Sequence, residues 1–232
     1  METAQLILMR HGESVYNQKN LFTGWTDVDL SNKGVKEAKE SAKLLKNAGI
    51  FPDICFTSWL KRAIHTAQIV LREIEWEHID VLKSYKLNER HYGAWQGRNK
   101  SEVLIEYGEE QFFAIRRGYD TPPPPLDPND PRVPWNEKKY QTIEHTSLPL
   151  SESLKDTKKR VVAYFHEAIA SHLKENKKVF IAAHGNSLRA LIMYLEDIPK
   201  EKIGSVEIPT GEVILYNLNQ HLKIINKEIL KS

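Results

Sequence analysis

The chain has 232 residues, of which 41% are hydrophobic and 28% charged, enough apolar content for the core of one large globular domain or two small ones. This composition excludes a disordered or fibrous chain. Lys and Arg number 33 against 31 Asp and Glu, and the net charge of +2 provides no global positive field for nucleic acid or an anionic membrane, so an anion would have to bind to a local cluster of charges.

The first part of the chain alternates apolar runs with helical patterns. Residues 5–9 form an apolar run that ends abruptly at polar residues, which is typical of a buried strand followed by a loop. A helix is predicted over residues 31–48, because a capping serine begins it, apolar or small side chains recur at helical spacing, and Gly49 follows it. Residues 53–57 predict a second strand, and residues 60–72 a second helix.

The last part of the chain repeats this alternation. A long helix is predicted over residues 153–176, where Asp156 lies at capping-box spacing from Ser153. A strand over residues 178–183 follows, and then a helix around residues 188–195. Strands that alternate with helices predict a three-layer α/β/α domain with a mostly parallel central sheet.

A proline-rich segment separates these two parts. Seven of the eleven prolines lie between Pro122 and Pro134, which excludes a helix or a central strand there. Composition alone fits a flexible linker between two domains. Because the chain must return to the same sheet, we instead interpret residues 90–150 as an insertion over the edge of the sheet. We expect one domain over residues 1–232 whose insertion is lid-like, with the tail after Leu218 as a further candidate cover.

Cysteine content and the N-terminal residues bear on location. The single cysteine, Cys55, excludes an internal disulfide, and no Cys and His residues have the spacing of a structural zinc site. The N-terminus lacks a basic segment followed by an apolar one, and the apolar runs fall short of the roughly 20 residues that span a bilayer. We therefore expect a cytoplasmic protein.

Two predicted strands end in the same dipeptide, histidine followed by glycine. Residues 7–12 read ILMRHG and residues 181–186 read IAAHGN. Because ligands of open α/β sheets bind beyond the carboxyl ends of the strands, we expect His11 and His184 to face one another. Arg10 adjoins the first histidine and Arg62 follows the second strand. The planar guanidinium suits phosphate oxygens and keeps its proton.

A histidine pair can bind a metal, transfer protons or attack phosphorus. No H-E-x-x-H sequence or other ligand spacing supports a metal site. Serine hydrolase chemistry would need a G-x-S-x-G turn, and Ser187 in HGNSL is the nearest approach to one. The nearby arginines favour phosphorus chemistry. Glu89, which follows the apolar-rich residues 79–87, is a candidate proton donor.

Seven segments, distributed over nearly the whole chain, carry a family resemblance. In chain order they are LILMRHGESVYNQKNLFTGWTDVDLS, FTSWLKRAIHTA, LNERHYGAWQGRNK, RRGYDTPPPP, LPLSESLKDT, IAAHGNSLRAL and IPTGEVILY. Chance explains an isolated RHG triplet but not seven ordered segments. The sequence resembles the cofactor-dependent phosphoglycerate mutases of the histidine phosphatase superfamily, and this resemblance implies their phosphoglycerate mutase-like fold.

The resemblance also implies a role for each matching residue. His11 resembles the nucleophile that forms a phosphohistidine, and Glu89 the acid/base that exchanges a proton with the substrate hydroxyl. Arg10, Arg62 and His184 resemble the groups that surround the phosphoryl group during transfer. Ten further positions match residues that hold phosphate and carboxylate: Ser14, Asn17, Thr23, Gly24, Tyr92, Lys100, Arg116, Arg117, Gly185 and Asn186.

By this resemblance the protein interconverts 3-phosphoglycerate and 2-phosphoglycerate, in glycolysis and gluconeogenesis, with 2,3-bisphosphoglycerate as the priming phosphoryl donor and without metal. That bisphosphate carries about four to five negative charges. The side chains of Arg10, Arg62, Lys100, Arg116 and Arg117 can balance them. The implied partners are small phosphoglycerates, with no nucleic acid and no membrane, and the implied assembly is a homodimer or homotetramer.

Three other functions stay open at this point. A histidine phosphatase would use the same His11 and let water accept the phosphoryl group, but the long insertion, Lys100 and the pair Arg116 and Arg117 favour a mutase. A bisphosphoglycerate mutase or phosphatase is the second, although the FTGW and GES segments resemble the glycolytic form. An inactive scaffold is the third, and the presence of every catalytic residue argues against it.

Overall fold

A computed structural model of the chain describes residues 3–230 and contains one central sheet. The described strands are β1 (Ala4–Arg10), β2 (Ile54–Thr57), β3 (Val81–Lys83), β4 (Lys178–Ala183), β5 (Val213–Leu218) and β6 (Ile224–Leu230). Their order in the sheet is β3-β2-β4-β1-β5-β6. The first four strands in this order are parallel, whereas β5 and β6 are antiparallel to their neighbours. The predicted mostly parallel sheet is confirmed.

Helices cover both faces of this sheet. The α-helices among residues 3–230 are α1 (Val15–Gln18), α2 (Asn32–Asn47), α3 (Lys61–Glu73), α4 (Lys100–Tyr107), α5 (Glu109–Arg117), α6 (Leu154–Tyr164), α7 (Ala170–Lys174) and α8 (Gly185–Leu195), of which α2, α3, α6, α7 and α8 pack on the sheet. Successive side chains of β1 point to opposite faces. Leu6 and Leu8 therefore pack with residues of α6, α7 and α8, and Ile7 and Met9 pack with residues of α2 and α3. The result is the predicted three-layer α/β/α arrangement.

The predicted strands and helices outside the insertion are present, and the predicted capping box of Ser153 and Asp156 is confirmed. Two predicted helices differ from the structure, one in its interior and one in where it begins. A π-helical segment, Phe165–Ile169, interrupts the helix expected over residues 153–176 and divides it into α6 and α7. The helix expected from residue 188 begins three residues earlier, at Gly185. His184 occupies the N-cap there, so the Ser, Thr, Asp or Asn that marks most helix starts is missing from the sequence.

The insertion contains two helices that the sequence analysis did not predict, α4 and α5. They pack in a small separate core, whose buried members are Phe22, Tyr92, Trp95, Val103, Phe112 and Ile115. Backbone hydrogen bonds hold the proline-rich segment against the rest of the insertion. The Pro124 carbonyl oxygen accepts the Ala94 amide at 2.8 Å, and the Leu126 amide donates to the Leu150 carbonyl oxygen at 3.0 Å. The segment is therefore a packed surface and not a flexible linker.

The tail after Leu218 does not cover the pocket in the described residues. Instead, Ile224–Leu230 forms β6 and pairs with β5 at the outer edge of the sheet. The β-branched Ile224, Ile225 and Ile229 favour an extended strand, which explains this outcome. No helix between residues 3 and 230 is both long enough and apolar enough to cross a membrane.

Two glycines bring the loop after β1 into contact with the start of α2. A Cβ atom added to Gly12 would lie 2.1 Å from the Gly34 carbonyl oxygen, and one added to Gly34 would lie 2.0 Å from the Glu13 carbonyl oxygen. The Ser31 amide donates to that same Glu13 oxygen at 2.8 Å. This close backbone packing fixes the loop that follows His11.

Gly34→Ala should therefore destabilise the protein. In an ordinary helix this change stabilises by about 0.5–1 kcal/mol. Here we expect the free energy of unfolding to fall by about 1–3 kcal/mol, because overpacking moves the backbone. Urea unfolding measures the effect, and Lys43→Ala, at an exposed position of α2, is the control that should stay within about 0.5 kcal/mol of wild type. A Gly34→Ala variant as stable as wild type would contradict this packing argument.

Candidate active site

A cavity of about 320 Å³ opens at the carboxyl ends of β1 and β4. Thirteen of the fifteen residues that the sequence singled out line it, all except Ser14 and His184. The lining combines residues of the insertion, of the loop after β1 and of the start of α8. Ligands of open α/β sheets bind beyond the carboxyl ends of the strands, where such segments come together.

His11 lies at the floor of the cavity with 3% of its surface exposed. Its Nδ1 is 2.7 Å from the carbonyl oxygen of Gly12, and its Nε2 is 3.3 Å from Nε of Arg62. A carbonyl can only accept, so Nδ1 carries the proton and Nε2 keeps its lone pair. Burial, and then the charges of Arg62 and Arg10, hold the pKa of His11 well below its usual value. The imidazole is therefore neutral and nucleophilic at pH 7.

His184 stands behind His11 and does not line the cavity. The two rings meet edge to face with centroids 5.0 Å apart, as expected for histidines at two adjacent strand ends. Nε2 of His184 is 2.7 Å from Oγ of Ser58, and Nδ1 is buried without a hydrogen-bond partner among the described residues. Burial and the nearby Arg62 charge keep the pKa of His184 well below its usual range.

Two arginines place positive charge beside His11. Arg62 is buried, and it donates to the carbonyl oxygens of Thr26 at 3.0 Å and Gly24 at 2.7 Å, which fix its orientation. Burial lowers the pKa of Arg62 to about 10, so the group stays protonated at pH 7. Arg10 donates to the Ile208 carbonyl at 2.6 Å, and its buried Nε has no partner among residues 3–230.

The insertion supplies three more cations to the cavity, namely Lys100 at the start of α4 and Arg116 and Arg117 at the end of α5. Burial, followed by repulsion from Arg116, lowers the pKa of Lys100. Arg117 forms an ion pair with Glu207 at the rim. The insertion therefore contributes charge to the site as well as covering surface.

Glu89 lines the same cavity and is 8% exposed. Its Oε1 accepts the backbone amides of Arg90 at 2.7 Å and Asn186 at 3.1 Å. Asn186 belongs to the first turn of α8, where the positive end of the helix dipole favours a carboxylate.

The sequence analysis missed two buried arginines that hold the cavity wall. Arg90 donates to the Tyr92 hydroxyl at 2.8 Å and to the carbonyl oxygen of Arg116 at 2.9 Å. Arg189 lines the cavity and donates to Oδ1 of Asn186 at 2.8 Å and to the Arg117 carbonyl oxygen at 3.0 Å. A helical spacing of three residues from Asn186 is the signal that could have found Arg189.

Ser14 has a structural task in the loop after β1. Its Oγ accepts the Asn17 amide at 3.1 Å and donates to Oδ1 of Asn17 at 2.9 Å, so it caps α1. It thereby orients Asn17, which does line the cavity. A direct contact between Ser14 and a substrate stays a prediction.

The described residues contain no grouping of three or more His, Cys, Asp and Glu side chains suited to a metal ion. Cys55 is buried within β2, where burial raises the pKa of its thiol. The cavity is instead rich in fixed N–H donors from arginines, which suit phosphate oxygens.

Comparison with known proteins gives consistent matches. The sequence profile described as the histidine phosphatase superfamily (branch 1) matches residues 6–227. Proteins named 2,3-bisphosphoglycerate-dependent phosphoglycerate mutase are 50% identical in Treponema denticola and 51% identical in Lachnoclostridium phytofermentans, each over 226 residues. The alignments cover 97% of this chain and 92% and 91% of those relatives. The chain belongs to the 2,3-bisphosphoglycerate-dependent phosphoglycerate mutases of the histidine phosphatase superfamily.

Solved structures share the fold of this family. A phosphoglycerate mutase from Bacillus anthracis superposes with a TM-score of 0.69 at 20% identity, covering 100% of this chain and 93% of that one. A mycobacterial glucosyl-3-phosphoglycerate phosphatase superposes with a TM-score of 0.73 at 20% identity, covering 99% and 98%. At this level of identity the two similarities establish the fold alone.

The buried neutral histidines predict a pH-dependent stability. Burial lowers the pKa of His91 to about 3 and holds the pKa values of His11 and His184 well below 6.5. Below pH 6.5 the unfolded chain binds protons that the folded chain excludes, so stability falls as pH falls. Each such histidine contributes up to about 1.4 kcal/mol per pH unit.

Urea unfolding at pH values between 7.5 and 5.5 measures this predicted decrease in the free energy of unfolding. His91→Asn, whose Oδ1 can still accept the Gly93 amide, should reduce the mean slope of stability against pH by about 0.7 kcal/mol per pH unit, because this window is centred on the pKa of a free histidine. Exposed His221→Asn should keep the wild-type slope. Equal slopes in wild type and His91→Asn would contradict the prediction.

Proposed function

We propose that this protein is an isomerase that interconverts 3-phosphoglycerate and 2-phosphoglycerate through phosphorylated His11. The observation that carries the chemistry is the neutral His11 in the cavity lining, whose unprotonated Nε2 lies beside the fixed guanidinium of Arg62. The relatives that are about half identical along the chain support this substrate class.

In one half-reaction the bond from phosphorus to Nε2 of His11 breaks as a bond from phosphorus to the substrate oxygen forms. In the other, the bond from phosphorus to a substrate oxygen breaks as the bond to Nε2 forms again. For this attack Arg62 must exchange its hydrogen bond to Nε2 for one to a phosphoryl oxygen. Arg62 and Arg10 are positioned to stabilise the three equatorial oxygens, where most of the transition-state charge lies. Gly12 keeps the Nδ1 proton in place and so stabilises the cation that forms on the ring.

Glu89 moves the proton of the substrate hydroxyl. When phosphorylated His11 transfers its phosphoryl group to that hydroxyl, the carboxylate accepts the released proton, and it returns the proton when His11 takes the other phosphoryl group. Its position in the lining, beside the start of α8, supports this role. His184 packs edge to face against the ring of His11 and so helps to fix the orientation of the nucleophile.

The cavity suits 2,3-bisphosphoglycerate, which when bound supplies the phosphoryl group that primes His11. The residues that would hold it are the six cations of the lining, Arg10, Arg62, Lys100, Arg116, Arg117 and Arg189. With the carboxylates of Glu89 and Glu207 in the same lining, the formal charge of the cavity is about +4, against roughly four to five negative charges on the ligand. The unpartnered buried Nε of Arg10 is a donor that a phosphate oxygen can satisfy. This charge balance requires no metal ion.

Mutase activity is favoured over simple hydrolysis by the insertion at about 90–150. Its α4 and α5 border the cavity and supply three of the six cations in the lining, so a reoriented intermediate would stay bound and shielded from water. We propose that this insertion acts as the lid of a single domain. We further propose a cytoplasmic homodimer or homotetramer whose ligands are phosphoglycerates, without nucleic acid or membrane as a partner.

One assay tests this function. Purified protein receives 3-phosphoglycerate and a trace of 2,3-bisphosphoglycerate with a metal chelator present, and 2-phosphoglycerate and free phosphate are measured separately. We expect chelator-resistant formation of 2-phosphoglycerate that far exceeds phosphate release. Phosphate release without isomerisation would identify a phosphatase. If neither 2-phosphoglycerate nor phosphate forms, the result would indicate a binding protein.

Arg62→Lys tests the arginine beside His11 in the same assay. The substitution keeps the charge but removes the fork that binds Thr26, Gly24 and His11 together. We expect kcat to fall by about 100-fold or more, since a misplaced electrostatic group costs about 10²–10³ in rate. Arg72→Lys, on an exposed part of α3, should keep wild-type kcat. Near-normal turnover in Arg62→Lys would contradict the proposed role.

A further inference from the structure

The segment that carries Glu89 has no regular structure of its own. Residues 88–92 form neither helix nor strand, although the carboxylate of Glu89 must meet a substrate hydroxyl in a defined geometry. Several of their backbone groups, including the carbonyls of Asn88 and Glu89 and the amide of His91, therefore bond to side chains. These partners come from a distant part of the chain, the LPLSESLKDT segment and the helix α6 that follows it.

Arg160 of α6 supplies most of these bonds. Its Nη1 donates to the carbonyl oxygens of Lys86 and Asn88, each at 2.9 Å, and its Nη2 donates to that of Glu89 at 2.9 Å. The Nε and Nη2 groups also reach the two carboxylate oxygens of Glu152, at 2.6 and 2.8 Å. All five N–H groups of the guanidinium are used, and an ammonium group cannot reproduce this fork.

Glu152 completes the arrangement on the other side of Glu89. Its Oε2 accepts the backbone amide of His91 at 2.8 Å. The side chains of Arg160 and Glu152 are only 13% and 4% exposed. Removal of either side chain would therefore leave a buried charge without its counter-ion. The indole of Trp25 adds a further hydrogen bond to the Glu89 carbonyl at 2.6 Å.

We propose that the ion pair between Arg160 and Glu152 positions Glu89 for proton transfer. Neither side chain is among the residues that line the cavity, so both act through the backbone on either side of Glu89. The inference rests on the proposed mutase function and assigns a task to a segment that this function otherwise leaves unused. A displacement of the carboxylate by about 1 Å is enough to cost about 100-fold in rate.

A double-mutant cycle tests this positioning. Initial rates are measured with isotopically labelled 3-phosphoglycerate for wild type, Arg160→Lys, Glu89→Gln and the double variant. We expect Arg160→Lys to lower kcat by about 10- to 100-fold with KM within about twofold of wild type. In the Glu89→Gln background the same substitution should lower kcat by less than about threefold, because the group that it positions is already gone. Lys159→Met, at the exposed neighbouring position of α6, is the matched control and should keep wild-type kcat.

The outcomes separate three cases. Wild-type kcat in Arg160→Lys, or an equal fold loss in both backgrounds, would overturn the positioning role. No formation of 2-phosphoglycerate by wild type would overturn the proposed function itself. If circular dichroism shows that Arg160→Lys does not fold, Glu152→Gln replaces it in the cycle, because the glutamine amide oxygen keeps one acceptor in place. The decrease in kcat in the wild-type and Glu89→Gln backgrounds is then compared in the same way.

Discussion

The short contact between His11 and the Gly12 carbonyl is the interaction on which the rest of the site depends. It keeps the proton on Nδ1 and so leaves the lone pair on Nε2, where it accepts a hydrogen bond from Arg62 until a phosphoryl group takes its place. Burial would favour a neutral imidazole in any case, but it would not choose between the two nitrogens. The backbone does so, and the close contact of Gly12 with Gly34 of α2 fixes that backbone.

Around this ring the structure combines positive charge from distant parts of the chain. Arg10 and Arg62 are tied to carbonyl oxygens of loops, whereas Lys100, Arg116 and Arg117 come from helices of the insertion. The two guanidinium groups beside His11 are held before any ligand binds, so little reorganisation is needed when charge moves between His11 and a substrate oxygen. A protein whose net charge is only +2 thus forms a strongly cationic pocket.

Sequence periodicity was sufficient for three strands of the sheet, β1, β2 and β4, and for the placement of the two histidines, because β1 and β4 are apolar runs that end in the same dipeptide. It did not predict the antiparallel strands β5 and β6. It could not predict α4 and α5, whose apolar residues pack against Phe22 and Trp95 rather than against the sheet. It also missed Arg90, Arg160 and Arg189, since a buried arginine is defined by carbonyl oxygens that come together only in the folded chain. The roles of Glu89 and the ligand-holding residues came from the family resemblance.

The identity of the phosphorylated atom tests the central claim most directly. Protein labelled with ¹⁵N in histidine is incubated with 2,3-bisphosphoglycerate and then studied by nuclear magnetic resonance, which distinguishes phosphorus bonded to Nε2 from phosphorus bonded to Nδ1. The structure predicts a single phosphohistidine at Nε2 of His11. Phosphorylation at Nδ1, or on His184, would contradict the account, because the proton and the lone pair would then lie on the wrong atoms.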